Sequence, residues 1–431
     1  MSTRCAISAL DHEGRGVAHR DGKALFIEHA LPGESVEFVA RRVKPNYEIG
    51  IAADIQSASP YRITPRCRYF GVCGGCSLQH IDADAQLIFK QRILEEQLAR
   101  IGKVTPDTLL APIFGPAWDY RYRARFSVRH VEKKGGVLVG FHERRSTYVA
   151  DMSSCEIVPD RVAALIQPLR DLIGHLSIRR KVPQIEVAVG EQELVLVMRN
   201  LAALSAADEA ACEAFAAAHD IHLYIQPQGP RSATPLYPRE AARLFYTLPE
   251  FDVVMPFSPT EFTQVNPAMN RVLVRRAINL LDPEPGERVL DLFCGLGNFS
   301  LPIARRGASV LGIEGEHALV ERARDNAALN AIAGARFERA DLFKPTPEQF
   351  AAWGSFDKWL IDPPRDGAIE TIKAMPATGP QRIVYVSCNP ATLARDAAVL
   401  VHARGYALRA AGVLNMFPHT SHVESIALFE Q

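Results

Sequence analysis

A cysteine near the carboxyl end of the chain stands where a reactive thiol could act. Cys388 follows the apolar run Ile383–Val386 and comes just before Pro390. The run is typical of a buried parallel strand, and Pro390 is suited to the first turn of a helix. A strand end beside a helix N-terminus is a ligand-binding position in open α/β sheets, and it is expected to lower the pKa of a thiol. The alternative is a small buried hydrophobe, as most free cysteines are.

A second group of thiols has the spacing C-x5-C-x2-C with two glycines in its shorter loop: Cys67, Cys73 and Cys76. Three such thiolates can converge on one metal centre, and the glycines let backbone N–H groups approach the sulfurs. A fourth ligand is needed, for which Cys155 is the nearest remaining cysteine and His80 is an alternative. On spacing alone, a zinc site formed by the same thiolates is at least as favoured as an iron–sulfur cluster.

A nucleotide-type site is indicated by residues that follow successive strands. The segment Arg288–Phe299 has the pattern of a strand, a glycine turn and a helix start, and Ser309–Ile313 is a second strand that ends in Glu314, which suits a ribose diol. The third glycine of the dinucleotide fingerprint is replaced by serine. This disfavours NAD and favours S-adenosylmethionine (AdoMet), which has no pyrophosphate. Asp341 is placed to meet the adenine amino group, and Asp362 to face the same crevice.

Three units are expected to position these residues. The chain has 431 residues, 48% of them apolar, which suggests about three domains with real cores. We expect these units to span residues 1–58, 59–257 and 258–431. The first unit alternates short β-like runs with turns, as small barrels do, while the second has α+β character and the third alternates strands with helices.

Charge is distributed unevenly along the chain. The formal net charge is zero, but residues 60–182 carry 20 Lys/Arg against 12 Asp/Glu. Such a basic segment is an electrostatic footprint for a polyanion. Strand alternation places four arginines of this segment on one face, with aromatics interleaved, and phosphate contact is favoured over a solvated edge strand: Arg121, Arg123, Arg125 and Arg129.

The N-terminus has no signal-peptide pattern, and no run of 18 apolar residues is present. We therefore expect a cytoplasmic protein with no membrane partner, in which the eight cysteines are not disulfides.

Taken together, four motifs resemble those of the RNA uracil-C5 methyltransferases: Ser387–Pro390, Asp362–Arg365, Asp291–Phe299 and His422–Glu424. The C-x5-C-G-G-C pattern resembles the branch of this family that carries a [4Fe–4S] cluster. The stretch Gly14–His19 resembles the TRAM domain, an OB-like RNA-binding module, in which a few cations suggest a phosphate track: Arg15, Arg41, Arg42 and Lys44. This combination points to the members that act on 23S ribosomal RNA.

The resemblance implies a fold and a set of roles. The fold is α/β, with a C-terminal Rossmann-like AdoMet-dependent methyltransferase domain, an N-terminal OB-like β-barrel (TRAM) and a central α+β iron–sulfur domain. Cys388 is the implied nucleophile and Glu424 the base, with His422 as the alternative base. The implied cluster ligands are Cys67, Cys73, Cys76 and Cys155. The implied AdoMet ligands are Gln264, Phe293, Asn298, Glu314, Asp341 and Asp362.

Two other functions compete with this one. A tRNA uracil-C5 methyltransferase is disfavoured, because those enzymes are expected to resemble only the catalytic half. An RNA-binding or redox-sensing iron–sulfur protein with an inactive methyltransferase domain is disfavoured by the intact Cys388 and Glu424. We expect a monomer that acts on 23S ribosomal RNA and does not act on DNA.

Overall fold

The computed structural model describes residues 3–431. The N-terminal part forms one sheet of six strands: β1 (Thr3–Ala6), β2 (Ala9–Leu10), β3 (Gly16–Arg20), β4 (Lys23–Glu28), β5 (Ser35–Val43) and β6 (Tyr47–Ser57). Its order is β1-β5-β6-β4-β3-β2, so the two edge strands are consecutive along the chain. Leu25, Ile27 and Phe38 are fully buried in its core. The strands predicted around residues 24–27, 35–40 and 48–52 are confirmed.

The central part follows, with its elements in this order: α1 (Ala83–Gln97), β7 (Thr108–Leu109), β8 (Arg123–Val131), β9 (Gly136–Gly140), α2 (Asp160–Ala163), α3 (Ile166–His175), β10 (Gln184–Val189), β11 (Leu194–Arg199), α4 (Ala206–Ala218), β12 (His222–Gln226), β13 (Thr234–Tyr237), β14 (Phe245–Leu248) and β15 (Val253–Pro256). Six of these strands form a sheet of order β13-β12-β11-β10-β8-β9, and β14 pairs with β15. Ser205 and Asp208 form a capping box that starts α4.

The C-terminal part alternates helices and strands: α5 (Pro267–Leu281), β16 (Arg288–Leu292), α6 (Ser300–Arg305), β17 (Ser309–Glu314), α7 (His317–Leu329), β18 (Ala335–Arg339), α8 (Pro347–Trp353), β19 (Lys358–Ile361), α9 (Ile369–Ala374), β20 (Arg382–Ser387), α10 (Pro390–His402), β21 (Ala407–Leu414) and β22 (Glu424–Glu430). The sheet order is β18-β17-β16-β19-β20-β22-β21-β7. Strands β16 to β20 run parallel, and β22 lies antiparallel between β20 and β21. This is the predicted Rossmann-like α/β architecture.

Helix α1 packs on the C-terminal part, although it lies within the predicted central unit 59–257. Its Leu87 and Leu94, and Leu98 directly after it, are buried in the same core as Leu393. Strand β7 likewise pairs with β21 and extends the C-terminal sheet. The predicted unit 59–257 thus contains two elements that pack on the C-terminal part, α1 and β7. An apolar helix stripe does not identify the body it packs against. Across the described range, no helix is long and apolar enough to traverse a bilayer.

Candidate active site

The predicted AdoMet and nucleophile positions meet at one edge of the C-terminal sheet. Parallel strands present their carboxyl ends on the same side, and this edge is where such sheets bind ligands. Five of the predicted site residues follow or end these strands: Phe293, Glu314, Asp341, Asp362 and Cys388. The structure therefore brings together residues that are up to 95 positions apart in the sequence.

The glycine turn after β16 has the left-handed backbone that its sequence requires. Gly295 and Gly297 have φ values of +55° and +94°, which glycine adopts at little cost. The turn brings the Gly295 N–H within 3.1 Å of one carboxylate oxygen of Glu314, while the other oxygen accepts the Glu316 N–H at 2.9 Å. Two backbone donors thus orient Glu314 at the end of β17.

Two carboxyl groups are enclosed at the centre of this edge. Asp291 is fully buried, and its Oδ2 accepts a hydrogen bond of 2.5 Å from Ser300. Its Oδ1 has no hydrogen-bond partner within the described residues. Burial raises the pKa of both Asp291 and Asp362 to about 7, and the charge of Asp362 adds to the shift at Asp291. A cationic ligand would relieve the cost of ionising this pair.

The other predicted AdoMet residues lie on the segments that flank the turn. Asn298 is held by Asn270, with which it exchanges two amide hydrogen bonds of 2.9 Å, and by the Tyr246 hydroxyl at 2.8 Å. Gln264 is half-buried just before α5. Asp341 is exposed and caps the Phe343 N–H at 2.9 Å. The sequence analysis did not identify Tyr246 or Asn270, which show no motif.

Cys388 and Glu424 come together through strand pairing. Ser387 pairs with Ser425 in the antiparallel ladder of β20 and β22. Cys388 follows Ser387, and Glu424 precedes Ser425, so the two side chains lie opposite each other at the end of the ladder. As predicted, Cys388 lies beside the start of α10, whose first turn is capped by Asn389.

The electrostatics of the thiol differ from the sequence-based expectation. Burial raises the pKa of Cys388 to about 11, and the nearby carboxyls of Glu424 and Asp362 act in the same direction. Arg365 opposes this effect but does not overcome it. The predicted lowering of the thiol pKa is therefore wrong, because burial and two acidic neighbours outweigh the local cation.

The two candidate bases have very different proton affinities. Burial raises the pKa of Glu424 to about 8, with a further rise from Asp362 and a reduction from Lys90. His422 shifts the other way, to about 4, because it is buried and close to Arg365. The Arg365 guanidinium lies 2.5 Å from His422 Nδ1. Glu424 is therefore the better matched acceptor for a proton near neutral pH.

Lys90 on α1 is the main residue that the sequence analysis missed. Its side chain is almost fully buried, and its Nζ donates to Asn415 Oδ1 at 3.0 Å and to the Phe417 carbonyl at 2.8 Å. The sequence did indicate a buried lysine, since Lys90 lies three residues after Leu87 and four before Leu94, on the apolar stripe of the helix.

The four predicted cluster ligands line one small cavity in the central part, together with Phe70, Phe141 and Met152: Cys67, Cys73, Cys76 and Cys155. Within the described residues, no group of three or more His, Cys, Asp or Glu side chains is arranged to hold a metal ion. The Gly75 N–H lies 3.4 Å from Cys73 Sγ. His80, the alternative ligand, does not line the cavity, since its ring packs on Phe70 and His29.

The cysteine loop is connected to the loop that leads to Glu424. The N–H groups of Ser77 and Leu78, just after Cys76, donate to the His419 carbonyl at 2.8 and 3.0 Å. The His419 ring stacks on Trp118 with 3.9 Å between ring centroids. Hydrogen bonds therefore fix the loop that lines the cysteine cavity to the loop that leads to Glu424.

A cleft of about 580 Å³ opens between the three parts of the molecule and reaches His422. Four arginines line it: Arg121, Arg144, Arg145 and Arg365.

The arginines of the predicted phosphate face take different positions. Alternation is confirmed, because Ala124, Phe126 and Val128 are buried on the opposite side of β8. Arg129 is exposed and Arg121 lines the cleft, but Arg125 pairs with Glu186 and Arg123 donates to the Glu261 carbonyl. Arg123 and Arg125 therefore already have partners within the protein, and phosphate contact by this face stays a prediction.

The phosphate track predicted on the N-terminal sheet is also only partly available. Arg15 is buried and paired with Asp11 at 2.6 Å, so its prediction as a phosphate contact is wrong. Arg41, Arg42 and Lys44 are exposed at the tip of the β5–β6 hairpin.

Comparison with known proteins places these features in context. A family model described as a methyltransferase domain matches residues 283–391. Over 426 residues the chain is 62% identical to the 23S rRNA (uracil(1939)-C(5))-methyltransferase RlmD of Thiobacillus denitrificans, covering 99% of both chains. It is 58% identical over 434 residues to the protein of the same name from Nitrosospira multiformis, covering 100% of this chain and 99% of the relative.

A solved structure is similar over the same extent. The tRNA (uracil-54, C5)-methyltransferase of Pyrococcus abyssi, in complex with S-adenosyl-L-homocysteine, aligns with a TM-score of 0.74 and 25% identity. The alignment covers 99% of both chains. The expectation that tRNA enzymes would resemble only the catalytic half is therefore wrong, since this one matches all three parts. The tRNA alternative is disfavoured instead by the much higher identity to the ribosomal RNA enzymes.

Proposed function

The chain belongs to the RlmD family of 23S rRNA (uracil-C5)-methyltransferases, and from this premise we propose that Cys388 and Glu424 carry its chemistry. The enzyme transfers a methyl group from AdoMet to C5 of a uracil in 23S rRNA. Its relatives are named for uracil 1939, and we infer the same target here. The observation that supports the proposal is that the half-buried Cys388 thiol lies opposite the buried Glu424 carboxyl. The same sheet edge carries the acidic crevice, formed by Asp291, Glu314 and Asp362.

The reaction needs a nucleophile because uracil C5 is itself only weakly nucleophilic. Cys388 loses its thiol proton to solvent and adds to C6 as the thiolate, and the electron pair of the C5–C6 double bond moves toward the C4 carbonyl, which makes C5 enolate-like. Bound AdoMet supplies an electrophilic methyl group to C5. Glu424 then takes the C5 proton, the double bond re-forms, and the sulfur leaves C6 as a thiolate. Arg365, the cation that acts on Cys388, favours the thiolate both before it attacks C6 and after it leaves.

The acidic crevice fits AdoMet on charge. The ligand carries a sulfonium and an ammonium group, and the crevice contains Asp291, Glu314 and Asp362, whose charges interact. The unpartnered Oδ1 of Asp291 is a buried acceptor that a ligand N–H would satisfy. We assign the remaining contacts to the predicted residues: Gln264, Phe293, Asn298, Glu314, Asp341 and Asp362.

The cysteine-lined cavity fits an iron–sulfur cluster on its donor chemistry. Four thiols face one enclosed space, and backbone N–H groups of residues 69–70, 75 and 157–158 are directed at three of the sulfurs. Hydrogen bonds of this kind accompany thiolate-bound clusters. On this donor set, and on the family resemblance, we propose a [4Fe–4S] cluster on Cys67, Cys73, Cys76 and Cys155.

We infer that the three parts enclose the RNA around the flipped uracil. The arginine-lined cleft reaches the catalytic edge, where a base must leave its stack to react. The six-stranded N-terminal sheet is consistent with a TRAM domain over residues 1–58, with the basic hairpin tip at 41–44 as its phosphate contact. The central part would then be the iron–sulfur domain and residues 258–431 the catalytic domain, with α1 and β7 added.

Methylation of defined RNAs tests this function. The purified protein is incubated with AdoMet labelled in the methyl group and with unmodified 23S rRNA or unmodified tRNA. We expect label in 23S rRNA only, at a single uracil that corresponds to position 1939. Label in tRNA at a comparable rate would support the tRNA alternative, and no label in either RNA would support an inactive methyltransferase domain.

A further inference from the structure

The buried ammonium of Lys90 has no role in the chemistry described so far. Lys90 is 1% exposed in a helix that packs on the catalytic domain, and a buried cation is costly unless something compensates its charge. Its two hydrogen-bond partners, Asn415 Oδ1 and the Phe417 carbonyl, are both neutral. An ammonium has three N–H donors, so these two contacts leave one donor and the whole positive charge without an anionic partner.

The only carboxylate that acts on Lys90 as a charge partner within the described residues is Glu424. Glu424 is itself only 3% exposed. Lys90 in turn favours the ionised form of Glu424, whereas Asp362 disfavours it. Each of the two buried groups therefore favours the ionised form of the other, although burial still lowers the pKa of Lys90 to about 7.

The contacts of Lys90 also determine where this loop lies. Asn415 and Phe417 begin the segment that runs from the end of β21 to Glu424. Gln86, one turn earlier in α1, binds the same segment through the His419 backbone N–H at 2.8 Å and the His419 Nδ1 at 3.1 Å. Gln86 and Lys90, on one face of α1, thus hold the loop at three residues: Asn415, Phe417 and His419. Lys90 is the charged one of the two.

We propose that Lys90 is a positioning residue for the proton acceptor Glu424: it anchors the loop through Asn415 and Phe417 and supplies a positive charge that favours the ionised form of Glu424. The inference deepens the proposed function and rests on Glu424 being the base. Without the cation, Glu424 stays protonated to higher pH and the methylated adduct collapses slowly.

Other charged and titratable groups lie around Lys90 and Glu424. Asp362 after β19 and Cys388 after β20 face Glu424, while Arg365 faces Cys388 and His422. His419 and His422 on the loop both have a pKa of about 4, lowered by burial and, in part, by Lys90. The histidines are therefore neutral above about pH 6. Lys90, whose pKa burial lowers to about 7, is the cation that acts on Glu424 up to about that pH.

The test follows release of the C5 proton as a function of pH. Unmodified 23S rRNA tritiated at uracil C5 is incubated with AdoMet, and tritium release is measured for the wild type and for Lys90→Gln, which keeps hydrogen-bond donors but no charge. We expect the acid limb of the rate profile to move to higher pH by about 1 unit in Lys90→Gln, since an opposite charge shifts a carboxyl pKa by about 1–3 units. Lys90→Arg, which retains the charge, should keep the limb near its wild-type position.

A second readout is the covalent complex. At pH 7, Lys90→Gln should accumulate an RNA-linked, methyl-labelled band on denaturing gels, because adduct formation continues while its collapse slows by about tenfold. The matched control is Arg92→Met, which removes a side chain that is 71% exposed on the same helix. This variant should behave as the wild type in both assays.

Two results would overturn the proposal. One is an unchanged acid limb in Lys90→Gln with an equal loss at every pH, which is what a purely structural role gives. The other is the same limb shift in Arg92→Met. If Lys90→Gln does not fold, Lys90→Met provides the same comparison. Glu424→Gln is assayed in parallel: if it traps no methylated adduct, the assignment of the base fails, whatever the Lys90 variants do.

Discussion

Cys388 and Glu424 lie opposite each other at the end of the β20–β22 ladder, one position beyond the pair Ser387–Ser425. The Ser425 hydroxyl donates to the Ser387 carbonyl at 3.0 Å and reinforces this last rung. Both side chains are thus positioned by rigid strands of one sheet. A base held between them would have the nucleophile at one ring carbon and the proton acceptor at the next.

The first prediction concerns the nucleophile. Cys388→Ala should reduce methyl transfer to 23S rRNA to background while AdoMet binding survives, because the thiol attacks the base and not the cofactor. Methyl incorporation and calorimetric titration of AdoMet measure the two properties. Cys212→Ala, which changes a buried thiol of the central part, is the matched control. Turnover close to wild type in Cys388→Ala would remove this residue from the mechanism.

The second prediction separates the two candidate bases. Glu424→Gln keeps the size of the side chain but cannot accept the proton, so turnover should fall by about 10²–10⁴-fold. The sulfur should still add and the methyl group should still transfer, which leaves a methylated, covalent protein–RNA complex. Denaturing gels with methyl-labelled AdoMet detect it. If His422→Ala traps the adduct and Glu424→Gln does not, the base is His422.

The third prediction concerns the metal centre. Protein purified anaerobically should be brown and contain iron and sulfide in roughly equal amounts, and Cys73→Ser should lose both. Cys5→Ser, in the N-terminal sheet, should retain them. Metal analysis by mass spectrometry makes the comparison. A colourless protein with stoichiometric zinc would contradict the cluster assignment.

The fourth prediction follows from the acidic crevice. Asp291 and Asp362 have pKa values of about 7 in the free protein, raised by burial, so below that pH they are largely protonated. A cationic ligand favours their ionised forms. AdoMet should therefore bind more tightly as pH rises from about 6 to about 8, with release of protons.

Calorimetry in buffers of different ionisation enthalpy measures both the affinity and the protons released. Asp291→Asn should weaken AdoMet binding and flatten its pH dependence. S-adenosyl-L-homocysteine, which lacks the sulfonium charge, should show a smaller pH effect than AdoMet. Equal pH profiles for the two ligands would indicate that the crevice does not respond to the sulfonium.

Much of the site could be predicted from local sequence. The strand before Cys388, the glycine turn at Gly295–Gly297 and the acidic residue that ends β17 all obey short-range rules of turns and sheets. Because parallel strands end at one edge, a list of strand-end residues is already a prediction of a site. The C-x5-C-x2-C spacing likewise identified three of the four thiols that line the cavity.

Other features depended on contacts between distant segments. The pKa of Cys388 is raised and not lowered because the fold buries the thiol and because strand β22 brings Glu424 next to it, although 35 residues separate the two in sequence. The same applies to α1, which packs on a domain that begins far beyond it in the sequence. Periodicity predicts that a helix has an apolar face but not which body covers it.

Lys90 shows most clearly which features follow from local sequence and which depend on tertiary contacts. The sequence alone determined that a lysine lies on the apolar stripe of a helix, between Leu87 and Leu94. Only the tertiary structure decided that the stripe packs on the catalytic domain and that the ammonium meets the loop before Glu424. The physical reason is that the electrostatic energy of a charge depends on burial and on partners in space, and neither is a property of local sequence.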